Sequence, residues 1–239
     1  MDDHLVVVNK PSGLLVHRGW GAESDVAMFR VRDLIGAHVY PVHRLDRGAS
    51  GALIFARTKD AAASLASAFE KRQVDKRYLA LVRGTPADAG TVDYPIPKGE
   101  KGPRVPAVTR FVCVARSGVD RCSLVLAIPE TGRTHQIRRH LRHLGHPLIG
   151  DVNYGSGELN RHYRARYDLR RLALHACELA FDHPATGVRL ALTAPLPEDL
   201  RLALARLELP GAIPPMGVNG APISTARSPE VADPSPGQT

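Results

Sequence analysis

The sequence predicts a single mixed α+β domain whose central sheet is mostly antiparallel and flanked by helices. Three observations predict it. Paired strand-like runs recur around short turn signals, as hairpins do. Strands and helices alternate irregularly, without the strict βα repeat of a parallel sheet. The chain of 239 residues is 44% apolar with only 5% aromatics, enough for one core built mainly from Leu, Val, Ile and Ala. That domain is expected over residues 1–208. Seven prolines and few apolar anchors in the last 31 residues predict a disordered tail over 209–239.

Each element follows from local pattern. "HLVVVNK" is a short β-branched strand stopped by the turn Pro11–Ser12–Gly13. "DVAMFRVRDLIG" has helical spacing and ends at Gly36, a natural C-cap. "GALIFAR" is a fully apolar strand, and Thr58 caps an Ala-rich helix, "KDAAASLASAFEKRQ", with basic residues in its last turn. "KRYLALVRG" alternates as a strand, and residues 93–106 are a Pro/Gly-rich surface loop. "AVTRFVCVA" and "DRCSLVLAI" form a hairpin around Ser117–Gly118, and "LALHACELAF" and "VRLALTAP" form another around "DHPATG". Between them, "THQIRRHLRHLG" is a helix with Ile137, Leu141 and Leu144 on one face. "PEDLRLALARLEL" closes the domain as an amphipathic helix.

Composition narrows the function. Net charge is +8, and the residues after 208 carry one arginine and two acids, so the basic excess lies in the folded domain. Such an excess attracts phosphate backbones. Cys113, Cys122 and Cys177 lack CxxC spacing and read as core residues rather than a disulfide framework or zinc ribbon. No signal peptide and no apolar run long enough to span a membrane are visible, so the cytoplasm is expected. Serine-hydrolase and nucleotide-loop signatures are missing as well.

Three stretches could carry chemistry. In "PVHRLDRGASGALIFA", Asp46 stands between Arg44 and Arg47. Flanking guanidiniums favour its ionised form, a nucleophile or base rather than an acid. The plainer alternative is a loop salt bridge. In "KRYLALVRG", Tyr78 opens a strand of apolar residues; it is either a core tyrosine or a ring on which an exposed nucleobase stacks. "PETGRTHQIRRHLRHLGHPLIGD" holds Arg133, Arg138, Arg139 and Arg142 with no acid between Glu130 and Asp151. A solvated face explains that poorly, and phosphate contact explains it better. Its histidines lack the spacing of metal ligands, so no metal is expected. Arg133 precedes the apolar face, at a strand-to-helix corner, where it could turn inward toward a carboxylate.

In order and spacing, "NKPSGLLVHRG", "HRLDRGASGALIFAR", "KRYLALVRG", "ETGRTHQIRRHL" and "LALHACELAFDHPATG" resemble the RluA family of pseudouridine synthases, over roughly residues 3–208. The resemblance implies an isomerase that needs no cofactor or metal. Its catalytic residues would be Asp46, Tyr78 and Arg133, the arginine pairing with the aspartate. Leu174 would pack near the tyrosine, Arg44 and Arg47 would face the RNA, and Arg138, Arg139 and Arg142 would bind its backbone. The implied partner is RNA: tRNA first, at uridine 65, with large-subunit rRNA as the alternative. A monomer is expected, and a non-catalytic RNA-binding protein is the alternative from another class.

Overall fold

The computed structural model describes residues 1–18, 23–99 and 102–211; of the expected tail, residues 212–239 lie outside the described residues. The architecture is the expected mixed α+β one. In chain order the elements are β1 (Leu5–Lys10), α1 (Ala27–Ile35), β2 (Tyr40–Pro41), β3 (Ser50–Ala56), α2 (Lys59–Glu70), β4 (Asp75–Arg83) and β5 (Ala89–Asp93). Then follow β6 (Ile96–Pro97), β7 (Arg104–Val105), β8 (Val108–Arg116), β9 (Cys122–Pro129) and α3 (Gln136–His143). The last are α4 (Gly157–Tyr167), β10 (Leu174–Asp182), β11 (Arg189–Thr193) and α5 (Glu198–Arg206).

The main sheet runs β1-β3-β10-β4-β9-β8-β5, with β2 on β3 and β11 on β10. Among the described residues every pairing is antiparallel except β3 with β10, which touch in parallel only at Ser50–His175 and Gly51–Ala176. Beyond Ala176, β11 takes over as the neighbour of β10. The parallel contact depends on glycine. Gly51 has φ +119°, and a Cβ there would lie 2.2 Å from the Ala176 carbonyl oxygen.

Both faces of the sheet are covered, which is why β3 reads as apolar throughout. Leu53 and Phe55 enter a core with Ile137 and Leu141 of α3 and Val31 of α1, while Ile54 packs on the other side with Leu65 of α2 and Phe181. Strand β4 splits likewise. Leu79 and Leu81 meet Tyr163 of α4 and Leu204 of α5, whereas Tyr78, Ala80 and Val82 face α3. Burial of each large side chain contributes about 1.5–3 kcal/mol, so Ile137 and Leu141 anchor α3 in the core against which Tyr78 packs.

Several local expectations need correction. Residues 93–106 are not simply loop, because β6 and β7 pair as a small ribbon. Helix α2 is capped by Thr58 as expected, its side chain accepting from the Ala61 amide. It stops at Glu70, so Lys71 and Arg72 follow the helix rather than complete it. On α3, Leu144 is exposed, and the buried face includes Arg138 and His140 with Ile137 and Leu141. Helix α4 was not expected. Its sequence is polar apart from Leu159, Ala165 and the two buried tyrosines, 163 and 167, too narrow a stripe for periodicity to register.

Candidate active site

Asp46 lies in the turn that leads into β3, and buried polar groups fix that turn. Lys10, almost fully buried, donates from Nζ to the carbonyls of Leu14 (2.7 Å), Pro11 (2.8 Å) and Arg47 (3.3 Å). Burial, with a smaller push from Arg171, brings its pKa down to about 8 against an upward pull from Asp46. Ser12 Oγ donates to the Gly48 carbonyl at 2.7 Å. Behind the turn, Ser50 Oγ meets His175 Nδ1 at 2.8 Å and accepts from Arg171 Nη2 at 2.6 Å. The same guanidinium donates to the Leu174 carbonyl, locking β3 and β10 together beneath the cavity.

The cation on Asp46 comes from α3. Arg138 Nη1 donates to Asp46 Oδ2 at 3.1 Å. Its Nε and Nη2 grip Asp151 through both carboxylate oxygens, at 2.7 and 2.8 Å, the two-pronged geometry a guanidinium favours. Asp151 also accepts the backbone amides of Asn153 and Tyr154, both at 3.0 Å. Burial alone would raise the Asp151 carboxyl; Arg138 and those amides more than offset it and hold it below the ordinary carboxylate value. Asp151 thus aims Arg138, and Arg138 holds one oxygen of Asp46. The other oxygen, Oδ1, lies 3.8 Å from His135 Nε2.

Asp46, His135 and Arg138 line a cavity of about 430 Å³ that also takes in Tyr78 and Leu174. That is within the range of small-ligand sites. No hydrogen bond ties the Tyr78 hydroxyl to any described residue. Burial, and secondarily the Asp46 charge, push its phenol above the ordinary value, so it is protonated at neutral pH. Leu174, at the start of β10, is buried. The wall carries five cations, Arg44, Arg72, Lys76, Arg133 and Arg138, against two carboxylates, Asp46 and Glu70. Of the five only Arg138 has a carboxylate partner among the described residues. His43, stacked on Phe69 and accepting the Ile54 amide at Nε2, is held neutral by burial and by Lys76, its pKa brought down to about 3.

The structure therefore redistributes the predicted residues. Asp46, Tyr78 and Leu174 share one cavity with Arg133, but Arg133 does not pair with Asp46: its Nε donates to the Pro106 carbonyl at 3.2 Å. Nor do the flanking arginines. Arg47 turns to Glu23 at 2.9 Å, and Arg44 is exposed. Arg138, expected to contact the RNA backbone, is the buried partner. Arg139 donates to Tyr154 Oη at 2.8 Å and reaches the Pro97 carbonyl, while Arg142 is exposed. The physical reason is where α3 starts. Gln136 is buried and spends all four bonds there, accepting from Thr131 Oγ1 and the Arg133 amide and donating to Val108 O and Thr109 Oγ1. That pins residue 133 outside the helix and leaves 138 one turn before Leu141 on the inner face. Sequence reasoning missed Asp151 and Tyr154; the acid that ends the long acid-free basic stretch was the available signal. The histidines diverge: His140 meets Thr109 and the Tyr94 carbonyl, His143 stacks on Tyr94, and His146 meets the Arg83 carbonyl. No metal-ligand cluster occurs among the described residues, and no described helix is long and apolar enough to cross a membrane.

A mixed sheet thus carries an arginine-held carboxylate beside an open tyrosine, on a wall rich in cations without acid partners among the described residues, a site suited to a polyanionic substrate. The family model for RNA pseudouridylate synthase matches residues 4–143, and the chain belongs to that family. It is 42% identical over 215 residues to tRNA pseudouridine synthase C of Pasteurella multocida, covering 81% of this chain and 88% of that one. It is 44% identical to the protein of the same name from Yersinia pestis, covering 81% and 83%. Among solved structures it is similar to human RNA Pseudouridylate Synthase Domain Containing 4, with a TM-score of 0.71, 31% identity, and coverage of 87% and 91%. The protein is an isomerase of the RluA type that makes pseudouridine in RNA.

Proposed function

We propose that the substrate is tRNA and that uridine 65 is the residue converted, with Asp46, Tyr78 and Arg138 at the chemical centre. The tRNA assignment rests on the names of the relatives. The residue roles rest on one observation: Asp46 lines a cavity with Oδ2 held by Arg138 and Oδ1 without a hydrogen bond among the described residues, and the same cavity holds Tyr78, whose hydroxyl is likewise unpartnered. The reaction breaks C1′–N1, turns the uracil and rejoins it through C5, with the C5 proton lost and N1 gaining one. A carboxylate serves by attacking C1′ or by removing the 2′ proton. A paired uracil is unreachable, so the nucleotide is everted, its base lying against Tyr78 with Leu174 beneath. Arg44, Arg72, Lys76 and Arg133 then meet phosphates or the gap the base leaves. In this reading Arg133 binds RNA, and the catalytic arginine is Arg138.

The test is to incubate the protein with unmodified tRNA and with large-subunit rRNA and to map pseudouridine in both. Product at position 65 of tRNA supports the proposal. Product confined to rRNA overturns the substrate, and RNA binding without product in either overturns the catalytic roles.

A further inference from the structure

We propose that His135 is a specificity residue: its Nε2–H donates to the ribose 2′-hydroxyl of the everted nucleotide, which in turn donates to Asp46 Oδ1. The enzyme would thereby select uridine over 2′-deoxyuridine. The inference rests on the reading of Asp46 as the carboxylate that engages the ribose.

His135 is held in an unusual place. It has φ +56° and ψ +27°, left-handed backbone on a non-glycine residue at the entry to α3. Such conformations are uncommon and cluster where a side chain must be aimed. Its carbonyl accepts the Arg139 amide at 2.9 Å, and the bonds of Gln136 fix the turn before it.

Its tautomer follows from the neighbours. Arg139 Nε can only donate, so Tyr154 Oη accepts there, at 2.8 Å. The single proton of that hydroxyl has no other acceptor among the described residues than His135 Nδ1, 3.0 Å away. Nδ1 is then the acceptor and Nε2 carries the hydrogen. Burial foremost, with Arg138 and Arg139, lowers the imidazole pKa against the upward pull of Asp46 and Asp151, so the ring is neutral at pH 7. The Tyr154 ring is itself packed by both guanidiniums, with Arg138 5.0 Å and Arg139 5.5 Å from its centroid.

The donor faces Asp46 Oδ1 at 3.8 Å. That is too long for a direct hydrogen bond, yet an oxygen at about 2.8 Å from each would bridge them. The bridge must accept from one side and donate to the other, as a hydroxyl does. In an internal nucleotide the 3′ and 5′ oxygens are esterified and O4′ only accepts. The 2′-hydroxyl is the remaining group on the sugar, one carbon from C1′, and it is what distinguishes RNA from DNA.

The test uses two synthetic RNA hairpins spanning tRNA position 65, identical except for uridine or 2′-deoxyuridine at the target. If mapping places the target elsewhere, the pair is built around that uridine. Single-turnover rates and RNA affinity are measured for the wild type, His135→Gly, His135→Gln and Tyr154→Phe. Glycine accepts the left-handed backbone, so H135G removes the imidazole without adding strain. The wild type should convert the ribo hairpin roughly tenfold to a hundredfold faster than the deoxy one. H135G should lose that preference by slowing on the ribo hairpin alone, with unchanged affinity. H135Q, which keeps an N–H donor, should regain part of the preference, and Y154F should lose part of it. A wild type that is active but indifferent to the 2′-hydroxyl overturns the proposal, as does an H135G that still discriminates fully. An enzyme that converts no uridine at all sinks instead the functional reading on which it rests.

Discussion

Two arginines, Arg138 on α3 and Arg77 on β4, are each held against a carboxylate out of the bulk solvent, and the use made of each differs. Arg77 gives one nitrogen to both oxygens of Glu178, at 2.7 and 2.8 Å, across β4 and β10. Both oxygens of that acid are engaged by the same cation, so the pair closes on itself. Arg138 divides its donors instead. Two prongs are spent on Asp151, which does not itself line the cavity, and one goes to a single oxygen of Asp46. A guanidinium that is positioned by one acid can orient a second and leave half of it exposed to substrate. Ion pairing alone does not mark a site; an incompletely satisfied pair beside a cavity does.

The largest expected effect breaks that comparison outright. Asp46→Asn should abolish pseudouridine formation while RNA affinity changes only a few-fold, measured by product mapping and filter binding on the same preparation. Glu178→Gln should do the reverse. Its partner keeps a hydrogen bond, activity stays near wild type, and the melting temperature falls by the equivalent of about 1–3 kcal/mol. Full activity in D46N, or an inactive E178Q of normal stability, would erase the distinction between the two pairs.

Next in size is the division of labour within the Arg138 network. Arg138→Lys keeps the charge but loses the fork, so one ammonium cannot hold both acids. The chemical step should slow by roughly 10²–10³. Asp151→Asn weakens only the grip that aims Arg138, and a loss of roughly 10–100-fold is expected. Because both act on the same contact, the double variant should be little worse than R138K. Arg133→Ala should cost the chemical step far less than either. An R133A as slow as R138K would restore Arg133 as the partner of Asp46.

That last contrast shows what was legible in the sequence. Strands such as β1, β3 and β4 declared themselves because β-branched and apolar runs too short for a helix are marked off by Pro11, Gly51 and Gly84. The residues of the cavity were found by their types: an acid between arginines, a tyrosine opening an apolar strand. Their pairing was not legible, because proximity along the chain says little about contact across a sheet. Arg44 and Arg47 lie within two residues of Asp46 in sequence, yet the cation that reaches it lies 92 residues away. Placing 138 rather than 133 inside required knowing that Gln136, fully bonded and buried, starts the helix. Helix α4 was missed for a related reason, since two tyrosines and a leucine carry its apolar stripe.

The smallest effect separates a third class of arginine from the first two, those with no acid at all. Arg142 is exposed on the outer face of α3 with no carboxylate partner among the described residues, whereas Arg110 is equally solvent-facing but paired with Glu130 at 3.0 Å. A cation already neutralised by a neighbour must give up that partner to bind a phosphate, so its net gain on RNA is small. An unpaired one releases a counterion from the RNA directly. Arg142→Ala should therefore weaken RNA binding several-fold and reduce the slope of log affinity against log salt by about 1. Arg110→Ala should leave both close to wild type. Equal slopes for the two variants would mean that pairing on this surface does not decide which arginines meet the backbone, and would remove the outer face of α3 from the RNA path.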